Sequence, residues 1–231
     1  MPSLATWLAP IEAALRAHAD AQQAVPMKAY MLGQFEFLGI RAGPRRDALK
    51  QALKGLPKFT GTADELLALA HGLWRLPERE FRYAAIDLLA KHHKWLDVSA
   101  LPRILQLVMT DPWWDTVDGL AGVVGDILLR AQASPTDVQQ HMDACLVHPH
   151  LWVRRVAMLH QLGWKAQTDQ ARLFRYALAL AHEKDFFIRK AIGWALRDHA
   201  RLQPQAVRLF LQQHSDQLSG LTRREAGKHL G

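Results

Sequence analysis

The run Trp113-Trp114-Asp115-Thr116-Val117-Asp118 sets two indoles and two carboxylates within six residues. Asp111 can cap a helix that has Pro112 at its first position. In that frame Trp114 and Asp118 are four residues apart and share one helix face. A carboxylate and an aromatic face both stabilise positive charge, one by Coulomb attraction and the other through the ring quadrupole. Trp113 and Asp115 point elsewhere: Trp113 reads as core, and Asp115 as a first-turn acid favoured by the helix dipole. A second tryptophan for an exposed face comes from Trp194, two turns into a helix that starts near Phe187. The chain has eight tryptophans, so most must be packing residues. Trp74, Trp95 and Trp164 are expected in the core or at helix contacts.

These side chains need helices to hold them, and the rest of the sequence supplies helical periodicity. Leu66, Leu67, Ala70 and Leu73 fall on one face, as do Leu173, Tyr176, Ala177 and Leu180. No convincing strand or Asn-Gly hairpin interrupts the pattern, so the fold is expected to be all-α. Several helices begin alike: Glu80-Phe81-Arg82-Tyr83-Ala84-Ala85-Ile86 compares with Trp152-Val153-Arg154-Arg155-Val156-Ala157-Met158 and with Phe187-Ile188-Arg189-Lys190-Ala191-Ile192-Gly193. With weaker matches at Arg45 and Thr222 and a related segment at Trp114, the starts are 45, 80, 114, 152, 187 and 222. They are separated by 35, 34, 38, 35 and 35 residues. That period suits antiparallel helix pairs stacked into a superhelical solenoid, and predicts one domain over residues 1–231. Asp185 is expected to cap the helix containing Phe187, and His148-Pro149 to open another. Gly163 and Gly231 sit where helices can end.

The chain of 231 residues is 49% hydrophobic and 22% charged, enough for a sizeable core. Its net charge is +7, with twelve histidines able to add to it. Such a surplus favours a polyanion, with nucleic acid ahead of membranes because no segment combines basic and lipid-seeking faces. No stretch approaches the roughly 20 apolar residues needed to span a bilayer. The first 25 residues lack the pattern of an export signal. The single cysteine, Cys145, excludes an internal disulfide, suits a reducing cytoplasm and reads as a core residue. The pairs Arg45/Arg46, Arg154/Arg155, Arg189/Lys190 and Arg223/Arg224 recur near equivalent helix starts. In a stacked array they would form one basic track beside helix N-termini, which also attract phosphate. Some of these arginines are expected to pair only with acidic neighbours. His92, His93, His148, His150 and His182 have no tetrahedral ligand spacing. No glycine loop for phosphates appears. Neither a metal nor another cofactor is expected.

Five runs resemble AlkD-type DNA alkylation-repair glycosylases: Trp113 to Asp118, Phe186 to Trp194, Leu221 to Ala226, Phe35 to Ile40, and Trp74 to Phe81. The resemblance extends over nearly the whole chain from about Pro26, with nothing distinctive from Ala131 to Val147. It implies a solenoid of HEAT-like helical pairs cradling double-stranded DNA that carries alkylated bases. It also implies a catalytic aspartate at Asp118, sugar-facing tryptophans at Trp114 and Trp194, and a phosphate-contacting arginine at Arg155. Arg154, Arg189, Lys190, Arg197, Arg45, Arg46, Arg223 and Arg224 are expected to join it in binding DNA.

The implied activity is hydrolysis of the N-glycosidic bond of cationic purines such as 3-methyladenine and 7-methylguanine, in base excision repair. A carboxylate at roughly 4 Å from the developing sugar cation offers about 4 kcal/mol at an effective dielectric of about 20. That is on the order of a thousandfold in rate, with roughly 0.5–2 kcal/mol more from each indole. These contributions suit a lesion whose bond is already weakened, not an unmodified base. With no lysine expected beside this face to form a Schiff base, a monofunctional hydrolase is favoured over a lyase. The family is thought to act while the lesion remains stacked. A monomer in the cytoplasm, associated with the nucleoid, is expected. The alternatives are a non-catalytic HEAT-like protein binding distorted or branched DNA, and a helical protein scaffold.

Overall fold

A computed structural model describes residues 4–57, 62–132 and 138–230. Every regular element among them is helical, apart from an isolated parallel bridge between Glu36 and Glu78. Among the described residues thirteen α-helices follow one another: α1 (Leu4–Arg16), α2 (Ala21–Tyr30), α3 (Ala42–Lys54), α4 (Ala63–Trp74), α5 (Arg79–Lys91), α6 (Leu101–Met109), α7 (Trp114–Ala131), α8 (Gln140–Leu146), α9 (Leu151–Leu159), α10 (Gln170–Ala179), α11 (Phe186–Ala200), α12 (Pro204–Gln213) and α13 (Gly220–Ala226). The expected period survives in the odd-numbered helices from α3 onward. They begin at 42, 79, 114, 151, 186 and 220, each within three residues of the start predicted from sequence. One further α-helix lies between each successive pair, so the chain is written as helix pairs. The expected helix end at Gly231 lies outside the described residues.

The contacts group the chain into two compact units, Met1–Arg103 and Ile104–Gly231. In the first, α1 packs on α3 and α4, and α5 packs on α3 and α4. Glu80 fixes this unit from within. It is 0% exposed, and its carboxylate accepts the backbone N–H groups of Leu38, Gly39 and Ile40 at 2.9, 2.8 and 3.0 Å. Three amide donors offset the cost of burying that charge.

In the second unit α7 packs on α9, α9 on α11, and α11 on α13, while α8, α10 and α12 cover them. Asp185 caps α11 as expected, accepting from the amides of Phe187 and Ile188 at 2.8 and 3.1 Å. The start of α7 differs from the sequence expectation. Its cap is Trp113, with extended backbone (φ −152°, ψ 163°), and Asp111 instead turns the chain at φ +44°. The helix therefore begins two residues later than an Asp111 cap requires. Likewise His150, rather than His148 or Pro149, precedes α9. The four-residue spacing of Trp114 and Asp118 is unaffected, since both lie within α7. Two close approaches set the spacing of these helices. A methyl group on Gly125 would come within 2.0 Å of the His160 carbonyl, and one on Gly193 within 2.5 Å of the Glu225 Cβ.

The core assignments hold for Trp74 and Trp164, which are 2% and 4% exposed. Trp95 is half-buried, stacked on His92. Cys145 is buried in the second unit, and burial pushes its thiol up to about 11, which leaves it protonated and unreactive at neutral pH. Among the described residues no helix is long and apolar enough to cross a membrane.

Candidate active site

Three equivalent helices of the second unit meet at one guanidinium. Arg155, on α9, donates from Nε to Asp118 Oδ1 at 2.7 Å and from Nη2 to Asp118 Oδ2 at 2.8 Å. Its Nη1 donates to the carbonyl of Phe187 on α11. The same guanidinium lies 5.4 Å from the centre of the Trp194 ring, also on α11. Arg155 thus links the carboxylate of α7 to the indole of α11. The paired geometry is a two-pronged fork that holds both carboxylate oxygens at once, which a lysine cannot reproduce.

Exposure divides this pair unequally. The Arg155 side chain is 1% exposed and that of Asp118 is 22%. The arginine is spent internally while the aspartate side chain keeps part of its surface in solvent. Burial pushes the Asp118 carboxyl up from its ordinary value, and the guanidinium works against that rise. Trp114, half-buried and one turn earlier, shares the Asp118 face of α7. Trp113 is also half-buried, not core: its ring packs against Phe187 at 4.9 Å and Trp152 at 5.8 Å. That aromatic cluster ties the beginnings of α7, α9 and α11 together beside the polar contacts.

Trp194 is half-buried and has cations around its ring besides Arg155. Lys190 Nζ lies 5.3 Å and the Arg197 guanidinium 6.0 Å from its centre. A lysine therefore does stand beside an indole assigned to the reactive face, contrary to the sequence expectation. Lys190 is four residues before Trp194 on α11, and its ammonium is paired with Glu225 at 2.9 Å. That partner comes from α13, which explains why sequence spacing missed the arrangement.

The expected basic track is redistributed by tertiary contacts. Arg155, expected on phosphate, instead faces Asp118, because its donors are matched inside the protein. Arg154 is likewise internal: it donates to Glu183 at 2.6 and 3.3 Å and to the carbonyls of His148 and Pro149. In the first unit Arg45 is 8% exposed, bonded to Asp87 at 2.9 Å and stacked over Tyr83. Arg189 is half-buried and donates from Nε to the Glu183 carbonyl at 2.9 Å. Arg46 is 65% exposed while pairing with Asp87, and Arg223 and Arg224 are exposed.

Phe187, Glu183 and Glu225 contribute contacts that the sequence reading did not assign. Phe187 and Glu225 lie within the motif runs, but their partners are roughly a repeat away in the chain. Among the described residues no three His, Cys, Asp or Glu side chains are grouped to hold a metal ion. The geometry can place a fixed, partly exposed anion near aromatic faces, in surroundings where a cation forming nearby would be stabilised.

Residues 11–230 match the model of a family described as DNA alkylation repair enzyme. A solved structure, a predicted DNA alkylation repair enzyme from Enterococcus faecalis, is similar at 30% sequence identity and a TM-score of 0.79. The match covers 92% of this chain and 97% of that one. A comparison with curated proteins gives no match. The all-helical fold and a family match over nearly the whole chain agree: this protein belongs to the family of DNA alkylation repair enzymes.

Proposed function

We propose that the chain is an AlkD-type monofunctional DNA glycosylase, hydrolysing the N-glycosidic bond of 3-methyladenine, 7-methylguanine and similar cationic purines in duplex DNA. The observation that carries this reading is the Asp118 carboxylate, held by a buried arginine that also touches Trp194. In the reaction the C1′–N bond breaks with its electron pair passing to the cationic base, which leaves neutral. Positive charge grows on the deoxyribose, opposite Asp118 and the indoles of Trp114 and Trp194. Water adds at C1′, and its proton passes through the Asp118 carboxylate to solvent.

At about 4 Å and an effective dielectric of about 20, the carboxylate contributes about 4 kcal/mol. That is on the order of a thousandfold in rate. Arg155 is a positioning residue in this scheme, since its fork limits the carboxylate to one orientation. Lys190 is turned to Glu225 at 2.9 Å, and that pairing supports hydrolysis over a lyase reaction. The helix pairs at 34–37-residue spacing support a HEAT-like solenoid, with the exposed Arg46, Arg223 and Arg224 the side chains best placed to meet the DNA backbone.

The test is release of free base from duplex DNA containing 7-methylguanine. The wild-type chain is expected to release it. Asp118→Asn is expected to abolish release, with DNA binding retained, because the amide keeps the size but lacks the charge. A wild-type chain that binds such DNA and releases no alkylated purine would return the protein to the non-catalytic reading.

A further inference from the structure

Glu225 is the meeting point of three cations. Its Oε1 accepts from Lys190 Nζ and from Lys228 Nζ, each at 2.9 Å, and its Oε2 from Arg197 Nη1 at 3.2 Å. The Glu225 side chain is 8% exposed, against 21% for Lys190 and 24% for Arg197. Burial raises the Glu225 carboxyl, but Lys190 and Lys228 outweigh that and draw it down to about 2. The group is therefore an anion throughout the neutral range. One carboxylate among three cations leaves a surplus of two positive charges at this spot.

Two of those cations are the ones that flank Trp194. Lys190 lies four residues before the indole and Arg197 three residues after it, so all three share a helix face. Lys190 and Lys228 bond the same carboxylate oxygen, which brings two ammonium groups close enough to repel strongly if the anion between them is lost. The backbone is arranged to bring Glu225 in. Gly193, next to Trp194, has no side chain where Glu225 Cβ approaches. Thr222 Oγ1 donates to the Arg189 carbonyl at 3.1 Å, fixing α13 to the first turn of α11.

We propose that Glu225 is a positioning residue for the candidate glycosylase site, holding Lys190 and Arg197 against the Trp194 indole so that its ring keeps one orientation toward the sugar. This rests on the assignment of Trp194 to the reactive face. Loss of the anion has opposite effects on binding and on chemistry. The three freed cations strengthen the attraction for phosphate, while an indole without fixed neighbours is less well placed for the reacting sugar.

The test uses Glu225→Gln, which keeps the side-chain shape at the α11–α13 contact, with a thermal melt to verify folding. Single-turnover release of 7-methylguanine is expected to fall by roughly tenfold to a hundredfold, the scale of a misplaced reacting geometry. DNA affinity is expected to stay equal or rise, and Glu225→Asp to recover part of the rate. In a Trp194→Ala background, Glu225→Gln is expected to have no further effect. An equal loss in both backgrounds means that Glu225 serves only general packing, and overturns the proposal.

A second readout needs no reaction. The indole N–H resonance of Trp194, identified by its absence in Trp194→Ala, is expected to shift in Glu225→Gln. An unmoved resonance overturns the proposal. If the wild-type chain releases no purine, the glycosylase reading fails alone, and the indole shift still decides whether Glu225 positions Trp194.

Discussion

Asp118 is subject to two opposed influences. Burial raises its proton affinity, and the Arg155 fork lowers it, with the rise prevailing. In the proposed reaction the ionised carboxylate is the form that stabilises a sugar cation, so release of base is expected to be full above the folded midpoint and lost as pH falls through it. The midpoint is expected above the ordinary aspartate value of about 3.9. Arg155→Met removes the opposing influence and is expected to move the midpoint further upward. Single-turnover release between pH 4 and 8, corrected for enzyme-free loss, measures both curves. A midpoint that stays fixed or moves down in Arg155→Met would remove Arg155 from this role. At this scale the spacing of Trp114 and Asp118 was legible, because a helix face is defined within four residues. The partner of Arg155 was not, since a guanidinium aimed at phosphate and one aimed at a carboxylate have the same local sequence.

Helix caps and helix contacts separate in the same way. Asp185 could be read as a cap because the bonds that it makes reach only two and three residues ahead. The beginning of α7 could not: Asp111 and Pro112 have the expected composition, yet Trp113 takes the cap and its ring is held by Phe187 and Trp152 from other helices. Tertiary packing of an indole outweighs a cap preference of about 1 kcal/mol. Glycines in these helices also differ by their neighbours. Gly193→Ala sets a new carbon against the root of Glu225, which has no flexible end to move aside. It is expected to cost roughly 1–3 kcal/mol, with slowed base release as α13 shifts. Gly122→Ala on α7 meets nothing within 4 Å, and is expected to stabilise by up to about 1 kcal/mol through helix propensity. Urea unfolding of both variants checks the contrast; similar effects at the two sites would contradict the role given to the α11–α13 contact.

Over the whole molecule, the net charge of +7 overstates what each basic residue offers to DNA. Arg45, Arg154 and Arg155 have internal partners, whereas Arg223 and Arg224 are exposed. DNA binding is expected to weaken steeply with salt. Arg223→Ala or Arg224→Ala should each reduce the slope of log affinity against log salt by about one. Arg154→Ala should leave the slope unchanged and lower stability instead, by leaving Glu183 half-buried without its guanidinium. Affinity titrations at several salt concentrations measure the slopes, and an Arg154 effect as large as that of Arg223 would show that internal pairing does not withhold a cation from DNA.

The sequence by itself determined the all-helical class, and the helix starts and their period to within a few residues, because apolar spacing, caps and breaks act over a few residues. It also brought Trp114 and Asp118 to one face. Only the tertiary structure decided which acid meets which base. Arg155 and Asp118 are 37 residues apart, Arg154 and Glu183 29, Arg197 and Glu225 28, and Arg45 and Asp87 42. Each separation is close to one repeat, so these contacts join neighbouring helix pairs. Their partners depend on how closely the helices pack, down to the missing side chain of Gly193, and no local pattern of charge specifies that distance.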